Sequence, residues 1–217
     1  MNLALDRQAG LSSPINGIAT CQLLPPGFAG YRRYCPFPST PDIAEARRLV
    51  KASGTSGARV TVWSPGASTP ALPRVKKVVR AMSALGYHAR VRDLGDHYFQ
   101  AVTAPGADAQ AGFSAWAPDY PGAGGFLTPL ISCNGSFNLS RFCDRGVDAA
   151  IRRAARLATT DQQAASEVWA RIDRRVTDLA PVVPLVNLTD FQFVGARVGN
   201  FQYNPQWYTL LDQLWVR

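Results

Sequence analysis

The chain is poor in the residues that carry most enzyme chemistry. Its 217 residues include only two histidines, His88 and His97. Neither has a ligand partner at metal spacing, so zinc and transition-metal chemistry lack a donor set. No C-x-x-C pair occurs, which leaves thioredoxin chemistry and zinc ribbons unsupported. No G-x-S-x-G elbow is present, and Gly54-Thr55-Ser56-Gly57 lacks that spacing. Gly122, Gly124 and Gly125 follow neither a Walker loop nor a dinucleotide fingerprint. No apolar run approaches the roughly 20 residues of a membrane-spanning helix. Met1 to Arg7 show no basic leader followed by an apolar stretch. A non-catalytic protein without metal or cofactor is therefore expected.

What remains is a globular composition, 47% hydrophobic and 18% charged. The length suits one large domain or two small ones, with enough core to fold unaided. The formal net charge is +8. The excess is concentrated in residues 31–59 and 74–92, where a basic stripe raises nucleic-acid binding as a reading. Of 23 basic residues, however, only Lys51, Lys76 and Lys77 are lysines. That skew reads as compositional, no nucleic-acid motif accompanies it, and a solvated basic surface accounts for it.

Four cysteines fall as two local pairs, Cys21 with Cys35 and Cys133 with Cys143, each among Pro, Gly, Asn and aromatic residues. Two loop-closing disulfides are the simplest account among three possible connectivities, and four free thiols in a reducing compartment are the alternative.

Residues 1–10 read as the end of a helix, and 11–38 as an irregular extended segment. Thr40, with Pro41 behind it, is the expected cap of a helix with Ile43, Ala46, Leu49 and Val50 on its apolar stripe. Arg59–Trp63 alternates as a strand. Pro70 opens a helix with Leu72, Val75, Val78, Val79, Met82 and Leu85 inward, and Lys76, Lys77 and Arg80 outward. Tyr87–Leu94 is a second strand, completing a βαβ unit. Asp96 is expected to cap a short helix, and Ala111–Trp116 to form a third strand. A short helix is expected near Phe126–Leu130. Asp144 and Thr160 should cap two longer helices, the second with Val168, Ile172, Val176 and Leu179 on one side. Pro181–Val186 starts a strand. Residues 188–217 are aromatic, extended and non-helical, which calls for a partner surface.

One segment points to binding. Trp116, Asp119 and Tyr120 place a carboxylate with two aromatics at a strand end, where open α/β sheets hold ligands. An aromatic-lined pocket with one fixed carboxylate suits a small ligand bearing an ammonium group. A surface turn, with Asp119 bonded to local backbone, is the plainer alternative.

Six stretches together resemble family 5 of the extracellular solute-binding proteins, the peptide/nickel/dipeptide class of ABC importers. They are Leu5-Asp6-Arg7-Gln8-Ala9, Leu24-Pro25-Pro26-Gly27-Phe28-Ala29-Gly30-Tyr31 and the helix starting Pro41-Asp42-Ile43. Next come Trp116-Ala117-Pro118-Asp119-Tyr120-Pro121 and Ser140-Arg141-Phe142-Cys143-Asp144-Arg145-Gly146-Val147-Asp148. The last is Asp178-Leu179-Ala180-Pro181-Val182-Val183-Pro184-Leu185. The cysteine-bearing versions look like those of actinobacterial members.

The resemblance implies the C-terminal lobe of a periplasmic-binding-protein-like type II fold: α/β, a mixed sheet flanked by helices, with an extended C-terminal tail. Residues 1–187 would be the ligand-binding lobe, and 188–217 a tail returning to an N-terminal lobe. Met1 would then be an artificial or misassigned start. The resemblance also implies a protein that closes on an oligopeptide-like solute, partnered by ABC permease subunits, extracytoplasmic and lipid-anchored. The same fold in a cytoplasmic sensor is the alternative. Carried over from peptide-binding members, Asp119 would pair with a ligand α-ammonium group, with Trp116 and Tyr120 as pocket wall. Phe137 and Asn138 are further candidates for the cleft. Where the family commonly continues with an acidic residue and proline, this chain has Gly122-Ala123-Gly124.

Overall fold

A computed structural model describes residues 1–8, 17–66, 71–189, 191–204 and 208–217. Ala9, Pro70 and Trp207, which enter the sequence reading, lie outside the described residues.

The central unit is strand, helix, strand. β2 (Arg59–Ser64) and β3 (His88–Asp93) pair in parallel, Arg59 opposite His88 through Ser64 opposite Asp93. Helix α2 (Ala71–Ala84) joins them. Its Val75 is buried, while Val78, Val79 and Met82 are half-buried. Lys76 and Arg80 face water as expected. Lys77 does not: it is half-buried and lines a recess with Leu5, Arg7, Arg74 and Leu185. β4 (Ala111–Gly112) adds on the other side of β2, again in parallel, giving the order β3-β2-β4. The third strand is thus two residues long rather than six.

Helix α1 (Ile43–Ala52) starts two residues later than the sequence suggests. Asp42, not Thr40, caps it by accepting from the Glu45 amide. Both are capping residue types, and only the one adjacent to the first turn reaches its orphan amides. Ala46 and Val50 are buried against Ala4 and Leu85, but Leu49 is exposed. Residues 1–8 form turns, not a helical end. They are fixed by long-range bonds instead: Asn2 donates to the Val182 carbonyl, and Arg7 to the carbonyls of Pro184 and Asn2. Two of the quoted motif stretches therefore meet in space.

The larger core is helical. α4 (Ala123–Ile131), α5 (Arg145–Leu157) and α6 (Gln162–Leu179) enclose Leu127, Ile131, Val147, Ile151, Val168, Trp169, Ile172 and Val176. Asp144 caps α5 through the Val147 amide at 2.9 Å, as expected. Asp161, not Thr160, caps α6. Leu179 is exposed because α6 ends there, with Ala180 in the left-handed conformation.

The Cys21–Cys35 segment has no regular elements, yet it is anchored on α6. Leu24 is fully buried in the helical core, worth about 2–3 kcal/mol of apolar burial. Asp173, 2% exposed, accepts from the Leu23 and Leu24 amides and from Gln22 Nε2 at 2.7 Å. Burial pushes its carboxyl above the usual range, and these hydrogen bonds oppose that rise. Gln22 also donates to the Arg32 carbonyl and accepts from the Tyr34 amide. Both disulfides are the local ones: Cys21–Cys35, with Cα atoms 5.6 Å apart, and Cys133–Cys143, at 4.3 Å.

Among the described residues the strands do not join into the one mixed sheet anticipated. β1 (Gly17–Ala19), inside the segment read as irregular, pairs antiparallel with β5 (Val186–Leu188). The tail folds into two further ribbons, β6 (Val198–Gly199) with β9 (Trp215–Val216) and β7 (Tyr203–Asn204) with β8 (Tyr208–Thr209). It carries no α-helix among its described residues, and Phe191, Phe193, Leu211 and Trp215 are exposed, Phe193 by 99%.

Candidate ligand-binding site

The Trp116–Gly125 segment leaves β4 and bends back into α4. Its geometry follows from two residue types, glycine and proline. Gly122, Gly124 and Gly125 lie against the Tyr120 side chain. A Cβ on Gly124 would stand 2.6 Å from the Tyr120 hydroxyl, and one on Gly125 3.1 Å from its ring. The glycine run is thus a bed for this ring. Tyr120 remains 51% exposed. Burial of its inner part and the neighbouring Asp119 charge both push its hydroxyl above the usual range.

Proline acts from inside α4. Pro129 has no amide hydrogen to give to the carbonyl four residues back, that of Gly125. The Trp116 indole Nε1–H donates to that carbonyl at 3.1 Å. The indole is half-buried and packs on the helical core. Its outer neighbour is Phe137, with ring centroids 5.0 Å apart.

Phe137 sits in the loop closed by Cys133–Cys143. Its amide donates to the Pro129 carbonyl at 3.0 Å. Asn138 organises the same loop: its Nδ2 donates to the Ser132 and Phe142 carbonyls, and its Oδ1 accepts from Ser140 Oγ and the Phe142 amide. Both donors and both lone pairs of that amide are engaged within the loop. Cys133 is held in turn by Asp148, whose carboxylate accepts its amide.

Asp119 is exposed, and its carboxylate has no hydrogen bond or ion pair among the described residues. The local backbone bond of the plainer reading is not made. The structure therefore brings Trp116 and Phe137 into contact, seats Tyr120 beside Asp119, and places Asn138 behind Phe137. Sequence reading missed Phe99, whose ring meets Phe137 at 6.2 Å and is 51% exposed. The adjacent aromatics Tyr98-Phe99 on a short helix were the available signal. The recess lined by Leu5, Asp6, Arg7, Arg74, Lys77, Val78, Leu185 and Val186 involves none of these residues. Among the described residues no cluster of His, Cys, Asp or Glu could hold a metal ion, and no helix is long and apolar enough to cross a membrane.

An exposed carboxylate without a hydrogen bond or ion pair among the described residues, in a segment that also carries Trp116 and Tyr120, can hold an organic cation with an apolar body. The chain is 26% identical to di/tripeptide-binding protein 3 of Pseudomonas aeruginosa (strain UCBPP-PA14), over 94% of this chain and 39% of that protein. Its fold superposes on clavulanic acid biosynthesis oligopeptide binding protein 2 with a TM-score of 0.83, at 25% identity, over 99% of this chain and 42% of the other. HbpA2 from Haemophilus parasuis matches with a TM-score of 0.84 at 20% identity, over 100% of this chain and 44% of that one. No family model matches the chain. The chain is similar to di- and oligopeptide-binding proteins and spans about two-fifths of the length of the curated relatives it matches. Those relatives are dipeptide- and di/tripeptide-binding proteins.

Proposed function

We propose that residues 1–187 form one ligand-binding lobe, the C-terminal one of a type II binding protein, serving peptide uptake by an ABC importer. The observation that carries this reading is the exposed Asp119 carboxylate, without a hydrogen bond or ion pair among the described residues, next to Tyr120 and three residues past Trp116 in the chain. In this reading Asp119 pairs with the peptide's α-ammonium group, Trp116, Tyr120 and Phe137 form the wall, and Asn138 fixes the loop that presents Phe137. A carboxylate flanked by apolar rings favours one cation and repels an anion. The similarity to a di/tripeptide-binding and an oligopeptide binding protein supports a short peptide as solute.

Closure against a second lobe would bury most of the ligand. The exposed aromatics of residues 188–217 suit a tail that packs on that lobe. Two disulfides suit an oxidising, extracytoplasmic compartment, with lipid anchoring and permease contacts supplied by the full-length protein. The test is titration of the chain with di- and tripeptides, read by chemical-shift changes. Saturable binding that Asp119→Asn weakens at least tenfold supports the assignment. Equal binding by that variant sinks it.

A further inference from the structure

The aromatic surface continues beyond the residues assigned to the wall. Helix α3 (Tyr98–Thr103) carries two successive rings with opposite fates. Tyr98 points inward, 1% exposed, and its hydroxyl donates to the Phe113 carbonyl at 2.5 Å. Burial pushes that hydroxyl up to about 12. A Cβ on Gly112 would stand 2.6 Å from the same hydroxyl, so Tyr98 reaches its seat only because residue 112 is glycine. With Tyr98 fixed, Phe99 is turned outward, its ring 51% exposed.

Phe99 does not stand alone. Its ring lies 6.2 Å from Phe137 at 37°, and Phe137 lies 5.0 Å from Trp116 at 34°. The three rings form a stepped shelf rather than an edge-on cluster. Each ring is held from a different direction: Trp116 by the Gly125 carbonyl, Phe137 by the disulfide-closed loop, Phe99 by buried Tyr98. Three residues past Trp116 stands the unpaired Asp119 carboxylate.

We infer that Phe99, Phe137 and Trp116 together select an aromatic side chain on the bound peptide, with Phe99 the specificity-determining ring; this rests on the peptide-binding reading above. A further ring packed on these tilted rings gains geometry-dependent attraction beyond its apolar area. An acidic side chain would bring a second negative charge toward Asp119 and is disfavoured.

The test titrates the 217-residue chain with alanyl-phenylalanine and alanyl-alanine, following chemical shifts. The wild type is expected to prefer alanyl-phenylalanine by about threefold to tenfold, the range that aromatic pairing supplies. Phe99→Ala should bring that ratio close to one, and Phe99→Leu to an intermediate value. Asp119→Asn should weaken both peptides while keeping the ratio. Circular dichroism and unfolding curves confirm that each variant folds, and the leucine variant keeps the test open if the alanine variant does not. A wild-type ratio of one, or a ratio unmoved by either Phe99 substitution, overturns the shelf. Failure of both peptides to bind the wild type overturns the peptide-binding reading itself.

Discussion

The indole N–H of Trp116 occupies the Gly125 carbonyl that Pro129, four residues further on, has no hydrogen to fill. A helix-breaking residue thus creates the acceptor that orients a wall residue. Pro129→Ala would return a competing amide to that carbonyl. The helix should be at least as stable, since proline is the poorest helix former. The Trp116 indole proton is expected to move upfield and exchange faster in NMR spectra, with peptide affinity falling severalfold. An unchanged indole resonance would show that the carbonyl accepts both donors, and that the proline is incidental.

Gln22 and Asp173 lie 151 residues apart and make a buried bond at 2.7 Å. Asp173→Asn keeps the shape but turns one acceptor oxygen into a donor facing Gln22 Nε2. Gln22 cannot flip to accommodate it without losing the Tyr34 amide and the Arg32 carbonyl. A loss of about 2 kcal/mol is expected in urea unfolding, the cost of a frustrated buried polar group. A loss below about 0.5 kcal/mol would mean that the cluster relaxes freely.

Two aspartates should respond to acid with opposite signs. Burial raises the Asp173 carboxyl, so its contribution is full below the ordinary aspartate range and is lost as pH rises through its elevated value. The wild type should gain on Asp173→Asn as pH falls. Hydrogen bonding from Arg175, then from the Val147 amide, lowers the Asp144 carboxyl. Its contribution is present above the ordinary range and is lost as pH falls through its depressed value. The wild type's advantage over Asp144→Asn should therefore shrink on acidification. Unfolding curves between neutral pH and pH 3 measure both slopes, and parallel slopes would contradict the reading.

Removing the Cys133–Cys143 bond by a double serine substitution should cost about 2–4 kcal/mol, the range for a loop-closing disulfide. It should also loosen Phe137 and lower peptide affinity by more than the loss of stability accounts for. Thiol titration of unreduced protein checks the premise. No reactive thiol is expected, whereas four would favour the cytoplasmic sensor reading.

Local signals were legible in the sequence, and long-range ones were not. Asp144 was readable as a cap because its partner, Val147, is three residues away. The β2-α2-β3 unit was readable because alternation and helical spacing sit on either side of glycines. β1 was not, because its partner strand lies about 170 residues later and three residues carry no periodicity. Asp173 is not legible as a core residue because acidic residues usually mark the solvated face. Its position four residues after Trp169 and before Thr177, both buried, was the available sign. Of the site, Trp116, Asp119 and Tyr120 were suggested by their types at a strand end. Phe99 is brought to Phe137 only by the packing of Tyr98 beneath it.

The β1–β5 ribbon has a mechanical consequence. Gly17, Ile18 and Ala19 are in fixed antiparallel register with Leu188, Asn187 and Val186. A slip by one residue would turn every side chain of a strand to the wrong side. A Cβ on Gly17 would already stand 2.5 Å from the Val186 side chain, so the two strands are nearly in backbone contact. The strap ties the two ends of the stretch between residues 17 and 188 to each other, so that neither end can slide or stretch away from the other without breaking the ladder.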